Sequence, residues 1–185
     1  MAVAVLCTVF LARPAQAADA VPAQSRMVTK SGTLEVGAPL KGFGGWTLKD
    51  GPWSMDRHKK RNAKQVLVVS FFATWCQPCV RAFPALGAVR KAFKPEELEF
   101  ILVSFGQEGP EVERFVEEHR APGIVVVDPF QKIGERFGVD RSLPRTFVID
   151  PGGIVRAIFV TEGKDFERAL SVAVSDAMAA AQAQR

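Results

Sequence analysis

The stretch "QVLVVSFFATWCQPC", residues 65–79, decides the fold and carries the most reactive side chains of the chain. It begins with a continuous run of β-branched, leucine and phenylalanine residues (65–72), which is typical of a strand buried on both faces of a sheet. Cys76 and Cys79 follow at once, where the pattern changes to that of a helix. A C-x-x-C pair in this position can be a redox dithiol, half of a metal site or a coincidence of packing.

The position of the pair favours the redox interpretation. Cys76 is expected at the N-terminus of the helix, where free backbone N–H groups and the helix dipole stabilise a thiolate. Cys79 lies about one turn further along, close enough to form a disulfide with it. A helix terminus supplies about 0.3 to 1 kcal/mol, whereas lowering a thiol pKa by about two units takes roughly 2.7 kcal/mol. Hydrogen bonds to the sulfur, with the Cys79 N–H as the nearest donor, are expected to supply the rest.

The rest of the chain predicts one α/β domain. Strands are predicted at 98–105, 123–128, 145–150 and 154–160, helices at 76–93, 110–119, 130–138 and 164–181, and a β-hairpin at 45–55. Strands that alternate with helices indicate parallel pairs, and the last two strands, which flank Pro151–Gly153, add an antiparallel edge. The predicted fold class is therefore α/β, with a central mixed sheet flanked by helices.

Residues 1–17 differ in composition from the rest and are predicted to be a signal peptide. The apolar run 2–12 has the length of a signal-peptide core but is too short to cross a bilayer, and Ala15–Ala17 has the pattern of a cleavage site. No Lys or Arg precedes the run, so an uncleaved anchor is the alternative. We expect an exported protein of the bacterial periplasm or cell envelope, with an extended arm at 18–42 and the domain at 43–185.

Composition argues against several other classes of protein. With 185 residues and 48% hydrophobic side chains the chain can bury one substantial core, and no later apolar run is long enough to span a membrane. The net charge is +4, and the basic residues are concentrated in a run only at His58–Arg61. We interpret this run as a solvated loop, and expect no nucleic-acid partner, because no aromatic residue interleaves with the charges. Without residues 1–17, Cys76 and Cys79 are the only cysteines, so the pair is free for chemistry.

Two motifs together resemble a known family. The stretch "VLVVSFFATWCQPC" (66–79) and the later "SLPRTFVIDPGGIV" (142–155) are similar to the thioredoxin fold and, within it, to exported thiol-disulfide oxidoreductases of the TlpA/ResA type. The resemblance covers about residues 43–185, and it includes the N-terminal hairpin and an additional helix and strand (110–128) ahead of the proline loop. W-C-x-P-C after a buried strand, combined with L-P-x-T-F-x-I-D, is far more specific than C-x-x-C alone.

The resemblance implies a function and a set of site residues. It implies dithiol–disulfide exchange with partner proteins through a transient mixed disulfide, with Cys76 attacking, Cys79 resolving, and a redox-active Cys76–Cys79 disulfide. The supporting residues that it implies are Trp75, Gln77, Pro78, Leu143 and a cis-Pro144 that exposes the preceding backbone to substrate. It implies no cofactor and no metal, but it does imply a membrane-bound thiol as a source of electrons.

The residues between the cysteines bear on the direction of electron flow. Gln77 and Pro78 are neutral and lack the histidine by which strongly oxidising members stabilise the reduced thiolate. We therefore expect a reductant of partner-protein disulfides. The substrate, the electron donor and the oligomeric state stay open at this stage.

Two positions depart from the family pattern. Thioredoxins place a buried carboxylate at the position of Ser70, and the reductase branch commonly has a glutamate where this chain has Ala82. Neither residue can act as a base near neutral pH, so the acceptor of the Cys79 proton is unassigned. Glu108 and Asp140 lie in flanking loops but are expected to be ordinary surface charges.

The remaining aromatic and histidine side chains give weaker signals. Trp46 and Trp53 are expected to pack within the hairpin, and Trp75 is equally consistent with a lid over substrate and with packing. His58 and His119 are expected at the surface. A copper-binding or copper-delivery protein on the same fold is the alternative function, but it needs further soft ligands beside the cysteines, and neither histidine lies in an evident ligand position.

Overall fold

A six-stranded mixed sheet forms the centre of the molecule. The computed structural model describes residues 26–160 and 163–183. Its strands are β1 (Met27–Val28), β2 (Lys30–Ser31), β3 (Leu34–Glu35), β4 (Gly44–Trp46), β5 (Pro52–Ser54), β6 (Val66–Phe72), β7 (Leu98–Phe105), β8 (Ile124–Asp128), β9 (Arg145–Ile149) and β10 (Val155–Phe159). Its helices are α1 (Met55–Arg61), α2 (Gln77–Ala92), α3 (Pro110–Glu118), α4 (Lys132–Phe137) and α5 (Phe166–Ala183). The central sheet has the strand order β1-β10-β9-β6-β7-β8.

Strand β6 lies in the interior of this sheet, as its sequence predicts. All of its residues are buried, and it runs parallel to β7 and antiparallel to β9. β7 and β8 are also parallel, whereas β9 and β10 form the antiparallel hairpin predicted around Pro151–Gly153. The predicted α/β class, with a central mixed sheet flanked by helices, is confirmed.

Alternate residues of β6 face two separate apolar cores. Phe72 packs into the core formed with α2, α3 and α5 on one face of the sheet, and Phe71 into the core formed with α1, α4 and the N-terminal segment on the other. The Phe71 ring meets Phe137 and Phe147 at steep angles, with ring centroids 5.1 and 5.9 Å apart. Burial of one such ring contributes about 1.5 to 3 kcal/mol. Because β6 is packed on both faces, the position of the turn that follows it (73–76) is well defined.

The basic cluster folds differently from the prediction. The solvated loop expected at His58–Arg61 is the end of helix α1, whose first turn is capped by Ser54: its hydroxyl accepts a hydrogen bond from the Arg57 N–H. His58, expected at the surface, is only 9% exposed and lies against Trp53, with ring centroids 5.7 Å apart. Helical spacing explains the difference, because it turns Met55 and His58 inward together while the cations beside them face solvent.

The N-terminal segment has more structure than an extended arm. The predicted signal peptide, residues 1–17, and the first part of the predicted arm lie outside the described residues. From Met27 onward the arm contains short strands, and β1 pairs antiparallel with β10 at the edge of the central sheet. The predicted hairpin is confirmed as β4 and β5. Within it Trp53 packs on Phe43, with ring centroids 5.2 Å apart, but Trp46 is 66% exposed, so the expected packing of Trp46 is wrong.

The remaining helices follow the predicted pattern closely. α2 is continuous, with Pro84 inside it. α4 ends at Gly138, whose left-handed backbone (φ 62°) favours glycine. α5 buries the stripe that begins at Phe166 and includes Leu170 and Val174. Among the described residues, no helix has the length and apolar character needed to cross a membrane.

Candidate active site

The two cysteines lie where the central strand β6 gives way to helix α2. The chain leaves the sheet after Phe72 and makes a four-residue turn, closed by a hydrogen bond from the Cys76 N–H to the Ala73 carbonyl (3.0 Å). Cys76 is the N-cap of α2, and its sulfur accepts a hydrogen bond from the Cys79 N–H (3.2 Å). Pro78 occupies the first turn of the helix, where no N–H is needed. The expected donor to the Cys76 sulfur is therefore in place.

Both sulfur atoms lie beneath the surface. Cys76 and Cys79 are joined in a disulfide, with their Cα atoms 5.3 Å apart. The residues are 2% and 1% exposed and belong to the apolar core beneath α2. By contrast, Trp75 is 54% exposed and Gln77 is exposed beside it. Trp75 therefore faces solvent in this structure, which argues against the packing alternative for this residue.

Leu143 and Pro144 lie at the same edge of the sheet as the dithiol. The peptide bond between them is cis, and Pro144 is buried. Arg145, the next residue, pairs with Phe71 because β9 runs antiparallel to β6, so the start of β9 adjoins the end of β6. Leu143 packs against both apolar cores, including the one that holds the cysteines. The topology thus brings the two predicted motifs together.

A pair of hydroxyl groups takes the place of the carboxylate that thioredoxins bury near the dithiol. Ser70 and Thr146 face each other across β6 and β9, and their side-chain oxygens are 2.8 Å apart. Ser70 is on the same face of the sheet as Phe72, which packs with Cys79 in one core. Cys79 Sγ itself lies 4.0 Å from the Phe71 carbonyl oxygen.

The other positions considered for an acid–base group provide none in contact with the sulfur atoms. Ala82 is buried in the core beneath α2, and Glu108 is exposed. Hydrogen bonds from Ser142, chiefly from its backbone N–H, and the nearby Arg145 guanidinium lower the pKa of Asp140. Within the described part of the chain, neither Glu108 nor Asp140 makes a hydrogen bond to either sulfur.

A hydrogen-bonded cluster of three side chains, which no sequence motif predicted, lies beside the dithiol turn. It consists of Thr74 in the turn, Gln107 in the loop after β7, and Glu111 in the first turn of α3. The order of the predicted strands could have indicated it. Parallel strands β6 and β7 end at one edge of the sheet, so the residues that follow them come together.

The histidines lie apart from the cysteines. His119 packs on Phe115, with ring centroids 4.5 Å apart, and is half-buried rather than fully at the surface. His58 lies in the Trp53 contact on the opposite face of the sheet. Among the described residues no group of three or more His, Cys, Asp or Glu side chains is arranged to hold a metal ion.

Comparison with known proteins places the chain in a family. The model of the AhpC/TSA family matches residues 36–158, a span that contains the dithiol, the cluster beside it and the cis-proline. The chain belongs to the AhpC/TSA family. Its thioredoxin-like fold is shared with a putative thiol:disulfide interchange protein DsbE from Chlorobium tepidum, with a TM-score of 0.70, 23% identity and coverage of 79% of this chain and 99% of that one.

Curated relatives resemble part of this family member. The thiol-disulfide oxidoreductase ResA of Bacillus subtilis is 32% identical over 87 residues, 47% of this chain and 48% of that protein. The ResA of Geobacillus kaustophilus is 31% identical over 104 residues, 55% of this chain and 59% of that protein. The chain spans about half the length of the curated relatives it matches.

Proposed function

We propose that this chain is an exported thiol-disulfide oxidoreductase that works through Cys76 and Cys79. The observation that carries the proposal is the hydrogen bond from the Cys79 N–H to Cys76 Sγ at the N-terminus of a helix of 16 residues. In the reduced protein this donor and the helix dipole favour a thiolate on Cys76. The names of the curated relatives support the same activity.

The exchange takes two displacement steps. The Cys76 thiolate attacks one sulfur of a partner disulfide; an S–S bond forms between the two proteins, and the partner's other sulfur leaves as a thiolate. Cys79, after losing its proton, attacks the Cys76 sulfur and releases the partner's second thiolate. The partner gains two electrons and, after protonation, two thiols, while this chain is oxidised to the Cys76–Cys79 disulfide.

Among the described residues no carboxylate or histidine is hydrogen-bonded to Cys79 Sγ, so the proton leaves Cys79 without such a base. The Ser70 hydroxyl, held by Thr146, can pass a proton along but cannot keep it near neutral pH. The thiolate that leaves the partner in the first step is a base of suitable strength, and it is formed at the dithiol. This thiolate, or water, takes the Cys79 proton.

The surface around the dithiol supplies the contacts to the partner protein. Trp75 offers an exposed aromatic ring next to Cys76. Leu143 and Pro144 lie at the end of β6, and the backbone there can pair with an extended segment of the partner. Partners are therefore cysteine-containing polypeptides that present an extended stretch around the reacting disulfide.

The chain acts as a reductant outside the cytoplasm. The neutral Gln77 and Pro78 between the cysteines provide no cation to stabilise the reduced form, which favours electron donation. Export is supported by the signal-peptide pattern of residues 1–17. A reductant in an oxidising compartment needs resupply, and a membrane-bound thiol is the class of donor that we propose.

Trapping of the mixed disulfide tests the proposal. In Cys79→Ser the first displacement still takes place but the second cannot, so Cys76-linked adducts with partner proteins should accumulate and should disappear on reduction. Cys76→Ser is the matched control, because it keeps the second cysteine and removes the attacking one. If Cys79→Ser forms no adducts and the native chain does not reduce insulin disulfides, the proposed function is wrong. Stoichiometric Cu(I) binding in that case would favour the copper-binding alternative.

A further inference from the structure

Three side chains outside the C-x-x-C motif tie the dithiol turn to helix α3. The Thr74 N–H donates a hydrogen bond to Gln107 Oε1 (2.7 Å), and the Gln107 amide nitrogen donates to Thr74 Oγ1 (2.7 Å). The Thr74 hydroxyl in turn donates to Glu111 Oε1 (2.7 Å), which lies 3.4 Å from the Gln107 amide nitrogen. Each donor in this cluster therefore has an acceptor. The Gln107 side chain binds both the backbone N–H and the side-chain hydroxyl of Thr74.

The cluster fixes Thr74, which is part of the turn that leads into the dithiol. Thr74 is the second residue of the four-residue turn that Cys76 closes, and it lies beyond the end of β6, where no neighbouring strand pairs with its N–H. Gln107 supplies the missing acceptor. Its own loop is fixed in turn, since the Ser104 hydroxyl donates to the Gln107 carbonyl (3.1 Å).

This restraint gains importance when the disulfide is reduced. In the oxidised protein the S–S bond keeps Cys76 against Cys79. In the reduced protein the bond is absent, and the Cys76 sulfur stays at the helix N-terminus, within reach of the Cys79 N–H, only while the turn keeps its shape. The hydrogen bonds from the side chains of Gln107 and Glu111 to Thr74 help to keep that shape.

We propose that Gln107 and Glu111 are positioning residues that set the reactivity of the Cys76 thiolate, an inference that rests on the proposed function. Gln107 acts by hydrogen bonding, which keeps the turn in place and favours the thiolate. Glu111 acts in two opposite ways: its oxygen accepts a hydrogen bond from the Thr74 hydroxyl, while its negative charge, in contact with the turn through Thr74, disfavours a second negative charge on the Cys76 sulfur. The charge of Glu111 thereby offsets part of the thiolate stabilisation that Gln107 supports.

The two contributions differ in sign and can be separated by substitution. Thr74→Val and Gln107→Leu keep the size of the side chain but remove hydrogen bonds; loss of one such bond corresponds to about a two- to tenfold change in an equilibrium. Thr74→Ser keeps the hydroxyl. Glu111→Gln keeps an oxygen acceptor but removes the charge. Glu113→Gln is the matched control, since it removes an exposed charge from the same first turn of α3.

The experiment measures alkylation of Cys76 in the reduced full chain across a range of pH, with the adduct located by mass spectrometry. Thr74→Val and Gln107→Leu should react about two- to tenfold more slowly near neutral pH and show a raised Cys76 pKa. Thr74→Ser and Glu113→Gln should follow the native profile. Glu111→Gln should react as fast as the native chain or up to about twofold faster, because a partly exposed charge is screened by water.

Two results would overturn the positioning role. One is a native alkylation profile in both Thr74→Val and Gln107→Leu, with native thermal unfolding midpoints to show that they fold. The other is a Thr74→Ser profile that matches Thr74→Val, since the hydroxyl would then carry no role. Failure of the proposed function is a separate result: the variants would still differ from the native chain in alkylation as expected, yet the native chain would exchange no disulfides with protein substrates.

Discussion

Ser70 and Thr146 share a hydrogen bond of 2.8 Å between their hydroxyl groups in the interior of the sheet, on the face that carries the dithiol. Both residues are buried and lie directly opposite each other on β6 and β9. Within the described residues, each hydroxyl has the other as its side-chain hydrogen-bond partner. The pair thus satisfies two buried polar groups where a charged carboxylate would carry a larger desolvation penalty.

Removal of both members of this pair should cost less stability than the sum of the two single removals. Ser70→Ala or Thr146→Val leaves a buried hydroxyl without its partner, which we expect to lower the free energy of unfolding by about 1 to 3 kcal/mol. The double variant leaves no orphan and should be less destabilised than the sum of the single changes. Urea unfolding of all four proteins in the oxidised state measures this. Strictly additive effects would show that the two hydroxyls are independent.

Trp75 should matter for protein substrates and little for folding. Its ring is 54% exposed next to Cys76, so Trp75→Ala should change the free energy of unfolding by no more than about 0.5 kcal/mol. It should nevertheless lower kcat/KM for reduction of a protein disulfide, because the ring is proposed to contact the partner, and leave the reaction with a small disulfide reagent near the native rate.

Trp46→Ala is the matched control for that prediction. Trp46 is also an exposed tryptophan, but it lies on the β4–β5 hairpin and does not pack with the core that holds the cysteines. Its removal should leave both reactions unchanged. An equal loss of activity in Trp46→Ala and Trp75→Ala would contradict a specific role for Trp75.

The loop ahead of Pro144 should lose stability in acid. Hydrogen bonding to Ser142 and the charge of Arg145 lower the pKa of Asp140 from its ordinary value of 3.8. A lowered pKa in the folded state means that the ionised group stabilises the fold above the unfolded-state pKa, and that this contribution is lost as the pH falls through the folded-state pKa. Because Asp140 is largely exposed, the contribution is expected to stay below about 1 kcal/mol.

Comparison of Asp140→Asn with the native chain isolates this contribution. The difference in free energy of unfolding between the two should be present at neutral pH and shrink as the pH is lowered past 3.8. Glu108→Gln removes an exposed charge from another loop that the sequence analysis placed beside the site, and serves as control. A difference between native and Asp140→Asn that is independent of pH would show that charge is not the cause.

Local patterns predicted the elements that build the centre of the site. The apolar run 65–72 and the change to helical spacing at Cys76 depend on residues close together in the chain, and the structure places a buried strand and a capped helix there. Likewise the two motifs around Cys76 and Pro144 are brought to one sheet edge, as the strand order requires. Periodicity predicts the strand and the helix, whereas the place of Pro144 beside the dithiol was expected from the family resemblance.

The features that the sequence did not predict depend on contacts between distant residues. Burial of His58 requires Trp53 and the sheet beneath it, and a run of cations gives no sign of an inward face. The bonds between Thr74 and Gln107 join the ends of two parallel strands, and each residue alone has the pattern of an ordinary loop. The exposure of Trp46 depends on how its hairpin is placed against the rest of the fold, which no local pattern fixes.

The central claim is that Cys76 and Cys79 pass two electrons to a partner disulfide, and a single-turnover reaction tests it most directly. The reduced full chain is mixed with an equimolar protein disulfide under anaerobic conditions, and the oxidation state of both proteins is followed by mass spectrometry. The account predicts that the substrate gains two thiols at the same rate as this chain forms the Cys76–Cys79 disulfide. A substrate that stays oxidised while Cys76 and Cys79 remain reduced would contradict it.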